Sequence, residues 1–283
     1  MQYVIIPGNP GATRFYEPFM AALRAVIHDQ SRGFDVDVQA YSHDYCKADG
    51  SLVTMAEHID QIQQLLKRVL VKPTVLIGHS VGSYMLLHAL KNVDSGNILK
   101  VICVFPFFEA DFSNASVRSV SVAARFYNAM GLVAGVLSRL PLWAKDRMFR
   151  YMAKDPLSVN AIATCCALFT RKNITEYFYL ASQYVIKDKP FDWKLIEESK
   201  VISRITMYAC PNDTWLSDNL LKYIRNRIPS LKVVWHPYMS HAFTVSDEMS
   251  WVLAHIVARE PLSSDQHVRQ GLVHHGNDAL QPV

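Results

Sequence analysis

Short apolar runs alternate with longer segments of helical periodicity along most of the chain. The run at 74–77 is uninterrupted, which is typical of a strand covered on both faces in a parallel sheet. Between such runs, apolar residues recur at helical spacing, as from Ile59 to Val69. This alternation predicts an α/β fold with a mostly parallel sheet flanked by helices. Strands are predicted at 3–6, 34–40, 74–77, 99–105, 205–210 and 231–236.

Two segments have the pattern of a capping box, in which a hydroxyl and a carboxylate satisfy free amides of the first helical turn. Thr54 with Glu57 predicts one such box, and Thr244 with Asp247 predicts a second before the last helix. The first of these helices is predicted to end before Pro73.

The alternation of strands and helices stops in the middle of the chain. Residues 109–202 are helical in pattern and contain no clear strand, which predicts a helical cap inserted into the α/β core. The core is then predicted to comprise residues 1–108 and 203–261. The tail at 262–283 is polar and aperiodic, and we expect it to be disordered.

Composition narrows the classes of function. Of the 283 residues, 50% are apolar and 19% are charged, which excludes a disordered chain. The net charge of +4 is too small to indicate a nucleic-acid partner. Five cysteines without a CxxC pair predict reduced, intracellular thiols, and the start of the chain lacks the pattern of a secretory signal. We therefore expect a protein that is not secreted.

The strongest functional signal is a GxSxG motif formed by Gly78, His79, Ser80, Val81 and Gly82. It lies where a buried strand is predicted to end and a helix to begin, as a nucleophile elbow requires. A turn this tight needs glycine two positions either side of the serine, and it exposes the Ser80 hydroxyl above the sheet edge. The alternative is a plain glycine-rich turn between strand and helix.

A serine nucleophile needs a base, and the base needs an acid that orients it. In this fold the chain order is serine, acid, histidine. Asp213 follows the fifth predicted strand and His241 follows the sixth, so we predict that they complete a triad with Ser80. The structural alternatives are an Asx-turn for the aspartate and a surface loop for the histidine. Asp218 and His236 are rival residues, but they fall inside a predicted helix and a predicted strand.

Two backbone amides are needed to hold the oxyanion of a tetrahedral intermediate. The residue after the nucleophile, Val81, supplies one of them. The loop after the first predicted strand, Pro7-Gly8-Asn9-Pro10, is placed to supply the other. Because Pro10 has no N–H and Gly8 allows a close approach, we predict that the Asn9 amide is the second donor.

The predicted cap contains a basic segment rich in aromatic residues. Between residues 118 and 172, nine basic and two acidic side chains give a local net charge of +7. Apolar residues such as Trp143, Phe149 and Tyr151 are interleaved with them. A basic amphipathic segment suits the surface of a phospholipid layer, including the monolayer of a lipid droplet. The alternative is an ordinary cap whose apolar side covers the site and whose charges face water.

Four segments together resemble the lipid droplet-associated hydrolase family of the α/β-hydrolase superfamily. The resemblance implies a serine hydrolase of lipid esters, with sterol esters the usual suggestion, at the surface of lipid droplets and the endoplasmic reticulum. It also implies that Ser80, Asp213 and His241 occupy the family's triad positions. The four segments are 5–11 with Phe15 and Tyr16, 77–84, 212–215 and 240–243.

Family members carry further residues before the first of these segments, and those residues supply the first strands of the sheet. The resemblance therefore implies that this chain lacks the N-terminal edge strands of its relatives. A sheet without them would expose unpaired backbone groups at that edge.

The residues support one main hypothesis, a serine esterase or lipase that acts on a lipid ester through an acyl-enzyme. Such a triad needs no metal or organic cofactor, and for His267, His274 and His275 a solvated tail is favoured over a metal site. Two alternatives remain open. One is a lipid-droplet-associated surface protein with weak or no hydrolase activity, and the other is an acyltransferase that uses the same triad. For the chain itself we expect a peripheral, monotopic placement at the lipid surface.

Overall fold

The structure is a computed structural model, and it describes residues 1–30, 36–43, 45–153, 155–186, 190–260 and 262. The predicted tail at 262–283 lies outside the described residues except for Leu262. The first two residues of the predicted strand at 34–40 also lie outside them.

A six-stranded sheet forms the centre of the molecule, and every neighbouring pair of strands is parallel. The strands are β1 (Gln2–Ile6), β2 (Asp37–Ala40), β3 (Thr74–His79), β4 (Ile98–Val104), β5 (Ile205–Ala209) and β6 (Lys232–Trp235). Their order across the sheet is β2-β1-β3-β4-β5-β6. The predicted α/β fold with a parallel sheet is confirmed. Every residue of β1, β3 and β4 is buried, which explains why most of their residues are apolar and why these do not alternate with polar ones.

Helices cover both faces of this sheet. They are α1 (Glu17–Gln30), α2 (Met55–Val69), α3 (Val81–Ala89), α4 (Ala115–Arg125), α5 (Tyr127–Leu137), α6 (Leu142–Met152), α7 (Val159–Leu168), α8 (Arg171–Ala181), α9 (Lys194–Glu197), α10 (Asp218–Arg227) and α11 (Asp247–Ala258). Alternate residues of β1 point to opposite faces. Tyr3 and Ile5 pack with α1 and α11, whereas Val4 and Ile6 pack with α2, α3 and α10.

The first predicted capping box is confirmed, and the second is wrong. The Thr54 N–H donates to Glu57 Oε2 (2.8 Å), and the Glu57 N–H donates to Thr54 Oγ1 (3.4 Å). At α11 the cap is instead Ser246, whose hydroxyl accepts from the Met249 N–H (3.2 Å). Thr244 lies in a 3-10 turn, Phe243–Val245, that buries the Phe243 ring, and this turn moves the start of the helix towards the C-terminus.

The helices α4 to α9 lie between β4 and β5, where the sequence predicts an insertion. Among the described residues of 109–202 there is no strand. This segment is attached to the core at the loop after β6. The Ser240 hydroxyl donates to Asp155 Oδ2 (2.7 Å), and the Ser158 N–H donates to the Val245 carbonyl (2.8 Å). The boundaries of the insertion as a separate domain stay a prediction.

Within the described part of the chain, no single helix is long and apolar enough to cross a membrane. The helices α4 and α5 together have the length and composition of a span, but the chain bends by 90° between them. The bend falls at Phe126, which ends α4 and precedes α5.

A histidine in α2 makes the stability of this core sensitive to pH. His58 is fully buried against the rings of His43 and Tyr45, and burial lowers its pKa from 6.5 to about 4. The unfolded chain therefore binds this proton first as the pH falls. The stability that the neutral ring contributes is present above pH 6.5 and is lost as the pH falls towards about 4.

We expect the free energy of unfolding to fall with pH less steeply in His58→Phe than in the wild type between neutral pH and pH about 4. The difference in slope should approach about 1.4 kcal/mol per pH unit, the value for one proton. Urea unfolding at a series of pH values measures both slopes. Equal slopes would show that the buried ring does not contribute.

Candidate active site

A strained turn at Ser80 separates β3 from α3. The residue has φ 53° and ψ −129°, a backbone conformation that residues other than glycine rarely adopt. His79 ends the strand and Val81 begins the helix, so Ser80 is the only residue between the two elements. Ser80 therefore stands at the carboxyl edge of the sheet, as a nucleophile elbow requires.

Glycine is required on either side of this turn by the atoms around it. A Cβ on Gly78 would lie 2.7 Å from the Ser83 Cα. A Cβ on Gly82 would overlap the carbonyl oxygens of Ile6 and Pro7 at the end of β1. The elbow and the loop after β1 are thus in direct backbone contact.

Three side chains from separate loops meet at the elbow. The Ser80 Oγ lies 2.9 Å from the His241 Nε2. The other ring nitrogen of His241, Nδ1, lies 2.9 and 3.0 Å from the two carboxylate oxygens of Asp213. With the Nδ1–H donated to the carboxylate, Nε2 is left free to accept the hydroxyl proton. The structure thus brings together the three residues predicted as a triad.

The carboxylate of Asp213 is held by the turn that follows β5. Asn212 adopts φ 54° there, and the chain then reverses so that Asp213 Oδ1 accepts from the N–H groups of Trp215 (2.8 Å) and Leu216 (3.2 Å). The thiol of Cys210 lies 3.7 Å from the second oxygen. The two amide donors fix the carboxylate with its oxygens facing the His241 ring.

The two rival residues lie elsewhere. Asp218 is the first residue of α10, where a carboxylate is stabilised by the helix N-terminus. His236 follows β6, and its ring packs edge-on against Tyr208 at a centroid distance of 4.7 Å. Neither has a hydrogen bond to Ser80 or His241 among the described residues.

The predicted oxyanion amides belong to Val81, the residue after Ser80, and to Asn9, which lines the same cavity as Ser80. The Gly8 N–H is already donated to Tyr16 Oη (2.9 Å). In the described part of the chain, the backbone N–H groups of Asn9 and Val81 have no hydrogen-bond partner. Both amides are thus free to donate to a negative oxygen, and their role as oxyanion donors stays a prediction.

The side chain of Asn9 is fixed by two residues of the insertion and by Tyr45. Its Nδ2 donates to the Tyr177 carbonyl (2.9 Å) and to Tyr184 Oη (3.3 Å). Its Oδ1 accepts from Tyr45 Oη (3.4 Å). These contacts set the orientation of the loop after β1. No sequence pattern predicts them, because they join residues far apart in the chain.

A buried chain of hydrogen bonds connects three loops of the site. The Gly8 N–H donates to Tyr16 Oη, and that hydroxyl lies 2.6 Å from His79 Nδ1. The His79 Nε2 lies 2.9 Å from the His241 carbonyl, to which it donates its proton. Burial raises the pKa of Tyr16, so its hydroxyl keeps the proton that it donates to His79.

Within this chain of hydrogen bonds, the His79 ring is uncharged. Burial first, and then the nearby ring of His241, lowers the pKa of His79 to about 3. The motif identifies His79 only as a member of the elbow, and Tyr16 enters the sequence analysis only as part of a family segment. Their joint role in holding the His241 loop emerges from the fold.

A cavity of about 200 Å³ opens above Ser80 and His241. We call it the catalytic cavity. Aromatic side chains form part of its walls, among them Phe107, Tyr177, Tyr184 and Trp215. Of these, only Trp215 belongs to a segment that the sequence analysis singles out.

A parallel α/β sheet whose nucleophile elbow, acid loop and histidine loop meet at the carboxyl ends of the strands defines an α/β hydrolase. The model of the lipid-droplet associated hydrolase family matches residues 1–244. The chain belongs to this family, and it is a hydrolase by that membership.

Relatives in animals match over most of the chain. The lipid droplet-associated hydrolase of Gallus gallus is 24% identical over 271 residues, covering 88% of this chain and 82% of the relative. The lipid droplet-associated hydrolase of Homo sapiens is 25% identical over 267 residues, covering 84% and 79%.

Solved structures show the same fold. A carboxylesterase structure from Nitrososphaera gargenis has a TM-score of 0.59 at 16% identity, covering 91% of this chain and 89% of that one. A haloalkane dehalogenase from Agrobacterium tumefaciens has a TM-score of 0.64 at 13% identity, covering 91% and 87%. At these identities the likeness establishes the fold alone.

We expect Tyr16→Phe to lower the free energy of unfolding by about 1–3 kcal/mol. The change leaves the buried Gly8 N–H and His79 Nδ1 without their shared partner. Tyr238→Phe is the matched control, because Tyr238 is 90% exposed and its loss of a hydroxyl should change stability by less than about 0.5 kcal/mol. Urea unfolding measures the stability of both variants. Equal losses of stability would contradict the role of the buried chain of hydrogen bonds.

Proposed function

We propose that the chain is a serine ester hydrolase that acts on lipid esters through Ser80, His241 and Asp213. The observation that carries the proposal is the contact sequence from hydroxyl to imidazole to carboxylate, at 2.9 Å and 2.9–3.0 Å. A free serine hydroxyl is a weak nucleophile, and this geometry supplies the base that activates it.

In the proposed reaction, His241 Nε2 takes the proton as Ser80 Oγ attacks the ester carbonyl carbon. The carbonyl oxygen becomes an oxyanion beside the Asn9 and Val81 amides. The tetrahedral intermediate then expels the alkoxide, which receives the proton from Nε2 and leaves as the alcohol. Water, deprotonated by the same nitrogen, attacks the acyl-enzyme and releases the fatty acid and the free serine.

Family membership supports lipid as the substrate class. The resemblance adds sterol esters as the specific candidate, and the aromatic walls of the catalytic cavity suit an apolar ester. Acyl transfer to an alcohol would use the same triad and the same acyl-enzyme. Product analysis in the presence of added alcohol separates the two, because only transfer yields a new ester.

A fluorophosphonate probe tests the nucleophile directly. We expect the wild type to be labelled on Ser80 and Ser80→Ala to lose the label entirely, since the probe needs an activated hydroxyl. Ser83→Ala is the control, because Ser83 lies three residues along α3 with its hydroxyl bonded to the Gly78 carbonyl (2.8 Å). Mass spectrometry of labelled peptides identifies the site.

Label retained in Ser80→Ala would refute the proposed function. A wild type that binds droplets but takes no label would favour the alternative of a lipid-droplet surface protein without hydrolase activity.

We further propose that the insertion binds the protein to the surface of lipid droplets and of the endoplasmic reticulum. Large apolar side chains are exposed along α5 and α6, among them Val136 (66%), Trp143 (73%) and Met152 (70%). Arg139 and Arg147 are exposed beside them. Exposed apolar groups with basic neighbours suit an interface of anionic lipid.

We expect Trp143→Glu to weaken binding to phospholipid-coated triolein droplets at least about tenfold, because burying a large apolar side chain contributes more than about 1.4 kcal/mol. Trp251→Glu makes the same chemical change at an exposed tryptophan of α11, outside the insertion. Flotation of the full chain with droplets measures both. A weakening in Trp251→Glu alone would contradict the assignment of the surface.

A further inference from the structure

The catalytic cavity is too small to hold a lipid ester by itself. Binding sites for small molecules usually occupy about 300–1,000 Å³, whereas this cavity has about 200 Å³. Two larger cavities adjoin it. The substrate must therefore extend from the reacting carbonyl into one or both of them.

The first neighbour, which we call the distal cavity, has about 470 Å³. It shares Phe107 and Tyr184 with the catalytic cavity, so these two side chains form the partition between them. Their rings meet edge to face at a centroid distance of 4.8 Å. Tyr184 is held at the partition by a π-helical turn, Ser182–Ile186, a local distortion that is frequent at functional sites.

The second neighbour, which we call the outer cavity, has about 680 Å³. It shares Trp215, His241, Ala242 and Val245 with the catalytic cavity. The two large cavities thus meet the catalytic cavity through different side chains, one at the partition and one beside the His241 imidazole.

The geometry of the proposed reaction determines which part of the ester faces each of the two large cavities. The oxyanion must point to the Asn9 and Val81 amides, and the leaving oxygen must lie near His241 Nε2 to receive its proton. The alcohol therefore extends towards the outer cavity. The acyl chain takes the remaining direction, away from His241 and towards the partition.

We propose, resting on the proposed function, that the acyl chain extends past the rings of Phe107 and Tyr184 into the distal cavity and that the outer cavity binds the alcohol. The substrates that use both cavities are esters with one hydrocarbon group on the acyl side and another on the alcohol side.

The walls of the distal cavity suit a hydrocarbon chain. Met55, Ile59, Phe108 and Val185 line it. Two of its polar side chains already form hydrogen bonds with other groups. The Glu109 carboxylate accepts from the Phe191 N–H (3.0 Å) and the Trp193 indole N–H (3.2 Å), and Thr54 belongs to the capping box of α2.

Matched substitutions that fill one cavity at a time test the assignment. Ala110→Trp fills the distal cavity, and Ala153→Trp makes the same change in the outer cavity. The substrates are an acyl series, 4-nitrophenyl acetate, octanoate and palmitate, and an alcohol series, methyl, hexyl and cholesteryl butyrate. The readout is the ratio of kcat/KM between long and short members of each series, measured on the full chain.

We expect Ala110→Trp to lower the palmitate-to-acetate ratio at least about tenfold, the usual effect of removing room for methylenes from an apolar pocket. Ala153→Trp should change that ratio less than about twofold and should instead lower the ratio of cholesteryl to methyl ester. If Ala110→Trp does not fold, Ala56→Trp fills the same cavity from an exposed position at the start of α2.

Outcomes separate this inference from the function on which it rests. A wild type that takes the fluorophosphonate label and hydrolyses esters, but whose variants keep both ratios or exchange the two effects, overturns the assignment alone. A wild type that takes no label and hydrolyses neither series overturns the proposed function and the assignment with it.

Discussion

The site depends on the close approach of two backbone turns, the elbow at Ser80 and the loop after β1. A Cβ on Gly8 would lie 2.9 Å from the Ser80 Cβ, and Gly82 packs on the carbonyls that end β1. This contact brings the loop that contains Asn9 to the same cavity as Ser80. The positive φ of Ser80 costs about 1–3 kcal/mol, and a strand buried along its full length holds the turn in place. The Ser80 N–H donates to the Val104 carbonyl of β4 (3.1 Å), which ties the elbow to the next strand as well.

The insertion supports the site as well as covering it. Tyr177 and Tyr184 orient the Asn9 side chain, and Asp155 accepts a hydrogen bond from the hydroxyl of Ser240, the residue before His241. Two of the loops that meet at Ser80 are therefore braced by the same segment that exposes apolar side chains to the surroundings. The Asp155 contact links the segment between α6 and α7 to the loop that carries His241, so a movement of these helices against the core would displace that loop.

The sequence predicts well those structural elements that are determined by residues close together in the chain. Runs such as Thr74–His79 read as strands because both faces are covered, and the Thr54 cap depends on a residue three positions away. The cap of α11 is mispredicted because burial of Phe243, a tertiary contact, decides where that helix begins. The roles of Tyr16 and Tyr184 and the division of the cavities depend on packing between distant segments, and no spacing along the chain encodes it.

The neutral state of His79 bears on the charge that the proposed reaction creates. Its ring centroid lies 5.3 Å from that of His241, and a second positive charge at that distance would oppose the imidazolium by about 3 kcal/mol at an effective dielectric constant of about 20. Because burial holds the pKa of His79 at about 3, that repulsion is absent at neutral pH. His79 thus acts on its neighbour only as a hydrogen-bond donor to the His241 carbonyl, and the carboxylate of Asp213 is left as the one charge in contact with the imidazole among the described residues.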